Sequence, residues 1–304
     1  MRKIIFILCA VMAFAPAWAK VRAVVTIAPQ KYVIEKVAGD KVQVSVMVPA
    51  GASPHSYEPK PKEMTELAGA DVYFTVGDPE EHVWLDKFAS MNKKMIIVHT
   101  DKGVKKIAMV AHHHHDEHGE EDHDHDGDHD EHGEHEDHED HDHEGMLDPH
   151  IWLSPALLVK QAQNAADALC KIDSANASLY KSNFAKFKKE MSALDGNIKK
   201  VLKGAKNKKF MVFHPSWGYF AAGYGLVQVP VEIEGKAPKA QELVKLVQTA
   251  KKNNLKTIFA QPQFSTKEVE TIAKETGSRV VMLDPLAENI PATLMQAAKA
   301  IAGK

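Results

Sequence analysis

The chain has 304 residues, enough for two domains that each have a hydrophobic core. Two cysteines, Cys9 and Cys170, are too few for a cysteine-rich zinc site. Cys9 lies in the amino-terminal segment, which we predict to be cleaved, and the mature chain then has one cysteine and no intrachain disulfide. Outside one acidic run, the chain has 38 basic and 24 acidic residues and is therefore positively charged, but its lysines are scattered along predicted helices. This pattern indicates a solvated surface and not a nucleic-acid site.

The amino terminus has the pattern of a cleavable export signal. Arg2 and Lys3 precede an apolar stretch over residues 4–15, and residues 17–19 (Ala-Trp-Ala) match the small-x-small cleavage pattern. The stretch is too short to span a bilayer, and the residues before Cys9 are too large for a lipoprotein site. We therefore predict a signal peptide that is cleaved after Ala19 and export to a bacterial periplasm.

Strand-like and helix-like patterns alternate in a first block of the chain. Apolar and β-branched runs predict strands over residues 21–27, 42–48, 71–76 and 95–98. Helical patterns fill the gaps, over residues 30–38, 61–68 and 81–88. Regular alternation of this kind is typical of a parallel sheet flanked by helices.

A second block repeats the alternation. The predicted strands cover residues 209–213, 226–231, 257–260 and 279–283. The main helical patterns cover residues 240–251, 266–276 and 291–301. We predict an α/β protein of two lobes, each built on a parallel sheet.

A long segment without strand signals separates the two blocks. Ser154 and Pro155, as cap and first-turn residue, open a predicted helix that ends at Ile172. A second helix of about 28 residues follows from residue 175, with its apolar residues on one side. We interpret it as a rigid spacer between the lobes; two helices broken near Gly196 are the alternative.

These patterns divide the chain into four predicted parts. They are a signal peptide (1–19), an N-terminal lobe (20–174), a linking helix (175–204) and a C-terminal lobe (205–304). Residues 112–144 interrupt the N-terminal lobe with 13 histidines, 17 carboxylates and 3 glycines. Because nothing in this run gains by leaving water, we predict an unstructured surface insertion.

The histidine-rich run indicates that the chain handles metal ions, since imidazoles and carboxylates are ligands for divalent cations. We interpret it as a low-affinity accessory that captures cations and raises their local concentration. A solvated tether with incidental metal affinity is the alternative.

Five histidines lie outside the run, and some of them lie where a binding site is expected. His214 and Asp284 each follow a predicted strand directly, and His55 lies in a loop just after another. Ligands bind beyond the carboxyl ends of strands in α/β proteins, so these side chains from both blocks project toward one cleft. His150, just before the Ser154 cap, is the fourth candidate.

Each candidate has a simpler interpretation. A single histidine after a strand is more often a turn or surface residue, and Asp284 followed by proline is a common turn signal. Together, however, three imidazoles and a carboxylate form a tetrahedral set suited to Zn²⁺. His82 and His99 are assigned no metal role, because His82 lies on an exposed helix face and no second ligand is obvious near His99.

At these residues the chain resembles the zinc-specific (ZnuA-type) periplasmic solute-binding proteins of ABC importers. The matching segments are Pro-His-Ser-Tyr-Glu-Pro at 54–59, Asp-Pro-His-Ile-Trp-Leu-Ser-Pro at 148–155, Val-Phe-His at 212–214 and Leu-Asp-Pro-Leu at 283–286. The resemblance implies two α/β lobes joined by one long helix, with the metal in the cleft between them. A histidine-rich acidic loop is typical of the zinc-type members, and the ligands implied are His55, His150, His214 and Asp284.

Two features depart from the family pattern. Many zinc-type relatives have a disulfide in the second lobe, which this chain cannot form. Relatives often have Asp or Glu after the residue matching His214, where this chain has Pro215, so the groups around that ligand are expected to differ. Manganese-type relatives have a carboxylate in place of His214, which therefore favours zinc, since manganese prefers oxygen ligands.

The resemblance implies a monomeric receptor that binds Zn²⁺ with high affinity and delivers it to an ABC-type membrane permease. A filled set of four protein ligands leaves no open position for a substrate. No His-Glu-x-x-His motif occurs, so a zinc hydrolase is disfavoured. A manganese or other divalent-metal receptor of the same family and a periplasmic zinc buffer remain alternatives, and Glu58 or a water molecule could complete the metal shell.

Overall fold

The computed structural model describes residues 20–109, 146–233 and 235–304. The predicted signal peptide (1–19) and the histidine-rich run (112–144) lie outside the described residues. In the part of the chain that is described, no helix combines the length and the apolar character needed to cross a membrane.

The first half forms a parallel four-stranded sheet in the order β2-β1-β3-β4. Strand β3 is buried at all four positions, as expected for a central strand of a parallel sheet. The elements are β1 (Val21–Val25), α1 (Ala28–Ala38), β2 (Val42–Val46), α2 (Pro61–Ala68), β3 (Val72–Thr75), α3 (Glu81–Met91) and β4 (Ile96–His99).

The second half repeats this architecture, in the order β6-β5-β7-β8, again with every pair parallel. The elements are β5 (Lys209–Val212), α6 (Gly218–Tyr224), β6 (Val227–Pro230), α7 (Ala240–Lys252), β7 (Thr257–Ala260), α8 (Lys267–Thr276), β8 (Arg279–Met282) and α9 (Ile290–Ile301). The sequence did not predict α6, because seven residues are too few to show a helical period. The predicted α/β fold with two parallel sheets is confirmed.

Two helices occupy the segment between the sheets. α4 (Pro155–Ile172) packs along α5 (Ala177–Leu202), and α5 in turn contacts α1 of the first half and α9 of the second. α5 runs without a break through Gly196, so the alternative of two shorter helices is wrong. At 1.5 Å per residue, its 26 residues extend for about 39 Å.

The main hydrophobic core is continuous from the first sheet to the second half. It contains Val25 of β1, Leu158 of α4, Phe187 of α5 and Leu294 of α9. A smaller cluster lies around α7 and α8 of the second half. The segments that follow the strands at their carboxyl ends are therefore held by packed elements, and three of the four predicted ligands, His55, His214 and Asp284, lie in these segments.

Candidate metal centre

His55 lies in a one-turn 3-10 helix, Pro54–Ser56, that follows β2. Its side chain keeps 28% of its surface exposed. Its Nδ1 lies 3.5 Å from Oδ2 of Asp78, a residue that follows β3 and is itself buried. The imidazole is thus presented at the carboxyl end of the first sheet, with its Nδ1 toward a carboxylate.

His150 immediately precedes a second 3-10 turn, Ile151–Leu153, whose residues are all buried. The carboxylate oxygen Oδ1 of Asp148 accepts the backbone N–H of His150 at 2.8 Å and lies 2.8 Å from the ring Nδ1. Pro149, between the two residues, has a fixed φ angle and stiffens the turn. The Asp-Pro-His segment therefore orients its own histidine.

His214 follows β5 and is held from two neighbouring strands. Its backbone N–H donates to Oε1 of Gln261, which follows β7, at 2.7 Å, and the amide of Gln261 donates back to the carbonyl oxygen of His214 at 3.2 Å. Its ring Nδ1 lies 2.8 Å from Oε1 of Glu232, which follows β6. Phe264 stacks on the ring at 5.3 Å between centroids.

The three imidazoles meet at one point between the two sheets. One ligand atom from each of His55, His150 and His214 can be chosen so that all three lie within 4.8 Å of one another. The Nε2 atoms of His150 and His214 are 3.3 Å apart. The ring centroids lie 5.1 to 5.6 Å apart. Three nitrogen donors around one point are a set that can hold a divalent cation.

Asp284, the fourth predicted ligand, lies outside this group of three. It follows β8, and its Oδ1 accepts hydrogen bonds from the side-chain amide of Gln263 at 2.8 Å and from the backbone N–H of Leu286 at 2.9 Å. These two bonds hold Oδ1, and Oδ2 is the oxygen that would have to reach a metal.

The remaining histidines of the described segments do not join the group. His82 is exposed on α3, and His99 is exposed at the end of β4 with its Nδ1 3.2 Å from the hydroxyl of Thr75. Glu58 is also exposed and is not a member. The structure thus separates the three convergent histidines from the two that were assigned no metal role.

Burial and neighbouring carboxylates affect the histidine pKa values differently. Burial acts to lower the pKa of His55, but Asp78 outweighs it, so that pKa is raised above its ordinary value. Burial acts to raise the pKa of Asp78, but pairing with His55 lowers it overall. Burial lowers the pKa of His150 despite the adjacent Asp148. The lowered pKa favours the neutral form of His150, which is the form that binds metals.

The sequence interpretation did not identify Asp78 and Glu232 as members of the site. They lie 23 and 18 residues from the histidines that they face. Only the strand order, with β5 beside β6, brings Glu232 to His214. Asp148 did carry a local signal, because it lies two residues before His150 in a segment with proline.

Comparison with known proteins identifies relatives that bind zinc. The family model for zinc-uptake complex component A (ZnuA), described as periplasmic, matches residues 23–301. The zinc-binding protein AdcA of Streptococcus pyogenes serotype M3 is 30% identical over 271 residues, which are 88% of this chain and 50% of that protein. This chain thus spans about half the length of AdcA.

Two further relatives match over most of their length. The high-affinity zinc uptake system protein ZnuA of Bacillus subtilis (strain 168) is 31% identical over 274 residues, 88% of this chain and 79% of that protein. A crystal structure of ZnuA has a TM-score of 0.80 and 38% identity, and covers 93% of this chain and 98% of the crystallised one.

Proposed function

Because this chain belongs to the ZnuA family of zinc-uptake components, we propose that it captures Zn²⁺ in the periplasm and delivers it to an ABC-type membrane permease. The family consists of binding receptors and not of enzymes, so the metal is cargo. The names of the relatives from Streptococcus pyogenes and Bacillus subtilis, which refer to zinc binding and zinc uptake, support zinc as the metal.

One distance supports zinc binding by the histidines most directly. Two nitrogens bound to the same tetrahedral Zn²⁺, each about 2.0 to 2.1 Å from it, lie about 3.3 to 3.4 Å apart. The Nε2 atoms of His150 and His214 are 3.3 Å apart. The pair thus has the spacing of two ligands of one zinc ion, and His55, which follows β2 of the first sheet, adds a third nitrogen.

We assign His55, His150, His214 and Asp284 as the four ligands. Asp284 has to approach the three imidazoles, and its Oδ2 is free to do so while Oδ1 keeps its bonds to Gln263 and Leu286. Four protein ligands fill a tetrahedral shell and leave no position for a substrate. This arrangement suits a protein that binds the ion and later releases it, without a reaction at the site.

Selectivity for zinc over manganese follows from the same donor set. Imidazole nitrogens suit Zn²⁺, whereas Mn²⁺ prefers oxygen ligands in an octahedral arrangement. The alternative of a manganese receptor would require the site to bind Mn²⁺ in the presence of equal Zn²⁺. Equilibrium dialysis against both ions, followed by elemental analysis, separates the two proposals.

Substitution of His214 by alanine tests the ligand assignment. We expect the high-affinity Zn²⁺ site to be lost, with the dissociation constant in a chelator competition assay raised at least about 100-fold, because one of four metal bonds is removed. The matched control is His82→Ala, which removes an exposed imidazole outside the group. If His214→Ala kept wild-type affinity, the assignment would be wrong and a buffer based on the histidine-rich run would be favoured.

Delivery to a permease needs a separate test. In a bacterial host that lacks its own zinc receptor, the wild-type chain should restore growth in zinc-depleted medium. The His214→Ala variant should fail and His82→Ala should succeed. Restoration by His214→Ala would contradict transport through this site.

A further inference from the structure

Each of the three convergent histidines faces a carboxylate of its own through Nδ1. Asp148 and Glu232 pair with His150 and His214 at 2.8 Å. Asp78 lies 3.5 Å from His55. The three carboxylate side chains are only 1%, 6% and 1% exposed for Asp148, Glu232 and Asp78. Burying a carboxylate costs free energy unless it is paired, and each of these three acids has a different one of the three imidazoles as its partner.

We propose that Asp78, Asp148 and Glu232 are the positioning residues of the zinc site, each holding one histidine so that its Nε2 faces the metal. This inference rests on the proposed function, in that the three histidines bind zinc. The carboxylates do not touch the metal; they act through the histidines.

The physical reason lies in the tautomer of the imidazole. A carboxylate accepts hydrogen bonds, so a ring that faces it through Nδ1 carries its proton there and keeps the lone pair on Nε2. The charge-assisted bond also fixes the rotation of the ring and makes Nε2 a better donor to a metal. In His150 and His214 the two Nε2 lone pairs then face each other at 3.3 Å, an arrangement that a cation between them stabilises.

The fold supplies the carboxylates in different ways. Asp148 is local to its histidine and lies against Gly218, where an added Cβ would be 2.3 Å from Oδ2 of Asp148. Glu232 reaches His214 from the end of the adjacent strand β6. Asp78 is set by the turn between β3 and α3, in which Glu81 accepts the backbone N–H groups of Gly77 and Asp78.

The distance from the carboxylate to the histidine Nδ1 differs among the three pairs, which predicts that the three carboxylates contribute unequally to zinc affinity. Asp148 and Glu232 are at full hydrogen-bond distance, whereas Oδ2 of Asp78 lies 0.7 Å farther from its histidine and makes an ion-pair contact without a hydrogen bond. We expect Asp148→Asn and Glu232→Gln to raise the dissociation constant for Zn²⁺ by about 10- to 100-fold, the usual effect of losing such a partner. Asp78→Asn should raise it less, by about tenfold or below.

The first test needs no variant. In the zinc-loaded wild-type protein, long-range ¹H–¹⁵N correlations should show a proton on Nδ1 and the metal on Nε2 for each of the three histidines. Coordination through Nδ1 by any one of them would overturn the assignment for its carboxylate partner.

The second test compares amide variants with a charge control. Glu80→Gln removes a negative charge from the turn that carries Asp78. This charge affects His55 only through a Coulomb interaction and not through a hydrogen bond. We expect this control to change the dissociation constant for Zn²⁺ by less than about threefold. Asp148→Asn and Glu232→Gln should change it much more. Equal effects for all variants would overturn the proposal. Retained zinc binding by His214→Ala would instead overturn the proposed function, so the two failures are distinct.

Discussion

The indole N–H of Trp152 donates a hydrogen bond of 2.8 Å to the carbonyl oxygen of Pro285. The two residues are 133 positions apart, and the bond joins the segment that carries His150 to the segment that carries Asp284. Trp152 is 1% exposed, and its ring lies 5.1 Å from that of His150. The hydroxyl of Tyr219 adds a second tie, a 2.8 Å bond to the carbonyl oxygen of Asp148.

Trp152→Phe should weaken zinc binding without removing a ligand. The phenyl ring keeps most of the apolar bulk, but the carbonyl of Pro285 loses its hydrogen-bond donor, and such a bond contributes about 0.5–1.5 kcal/mol to stability. Without this bond, the segments that carry His150 and Asp284 are held together less firmly, which weakens the zinc site. We expect the dissociation constant for Zn²⁺ to rise about three- to tenfold in a chelator competition assay. The control Trp84→Phe removes a buried indole that packs on Phe88 and should leave zinc affinity unchanged. An equal effect of both substitutions would contradict a specific role for Trp152.

The sequence predicted both sheets well because their strands are short apolar runs separated by helical periods. His55 and His214 could be assigned to a site because each lies just after a predicted strand, and the ends of parallel strands share one edge. Strand order could not be read in the same way. Glu232 could be recognised as the partner of His214 only from the pairing of β6 with β5, because no sequence motif links these two residues.

The long helix illustrates a second limit of sequence patterns. A glycine in a helix costs about 1 kcal/mol relative to alanine, which suggested a break at Gly196. Tertiary packing compensates for this cost, because Met191 and Ile198 on either side of Gly196 are buried in the main core. Such packing depends on α4 and α9, which sequence periodicity alone does not place.

Gly77→Ala should reduce both stability and zinc affinity. Gly77 has φ +80°, and an added Cβ would lie 2.1 Å from Oδ2 of Asp101. We expect the free energy of unfolding to fall by about 2 to 4 kcal/mol, from strain at positive φ and from this clash. Zinc affinity should also fall, because Asp78 is the next residue.

The control for this prediction is Gly277→Ala. Gly277 has φ +67°, but nothing lies within 4 Å of the added Cβ. It should lose only about 1 kcal/mol and keep its zinc affinity. Urea unfolding and chelator competition on both variants measure the two effects, and equal losses of stability would rule out the clash with Asp101.

Deletion of residues 112–144 should leave one tight zinc site. The predicted ligands lie outside this run, so the high-affinity dissociation constant should stay within about twofold of wild type while the total number of bound ions falls. Calorimetry measures both quantities. A run of equal length with its 13 histidines replaced by glutamine separates loss of imidazoles from shortening of the chain. Loss of the tight site on deletion would contradict the accessory role.

Glu81 is a buried acid of the first half that contacts none of the predicted ligands. Its carboxylate accepts the backbone N–H groups of Val76, Gly77 and Asp78 and the hydroxyl of Thr26. Burial nevertheless raises its pKa to about 7, against the opposing effect of these donors. The folded protein therefore keeps a proton on Glu81 at pH values where the unfolded chain has released it.

This difference predicts that Glu81 makes stability fall as the pH rises. Below about pH 4.5 both states are protonated, and between pH 4.5 and 7 the unfolded state alone ionises, so the free energy of unfolding drops. The loss is on the order of 3 kcal/mol and is complete above about pH 7. Glu81→Gln does not titrate, so the stability of the wild type relative to this variant should decline across that window. Urea unfolding of the metal-free proteins from pH 4.5 to 8 measures it, and parallel curves would show that Glu81 is ionised throughout.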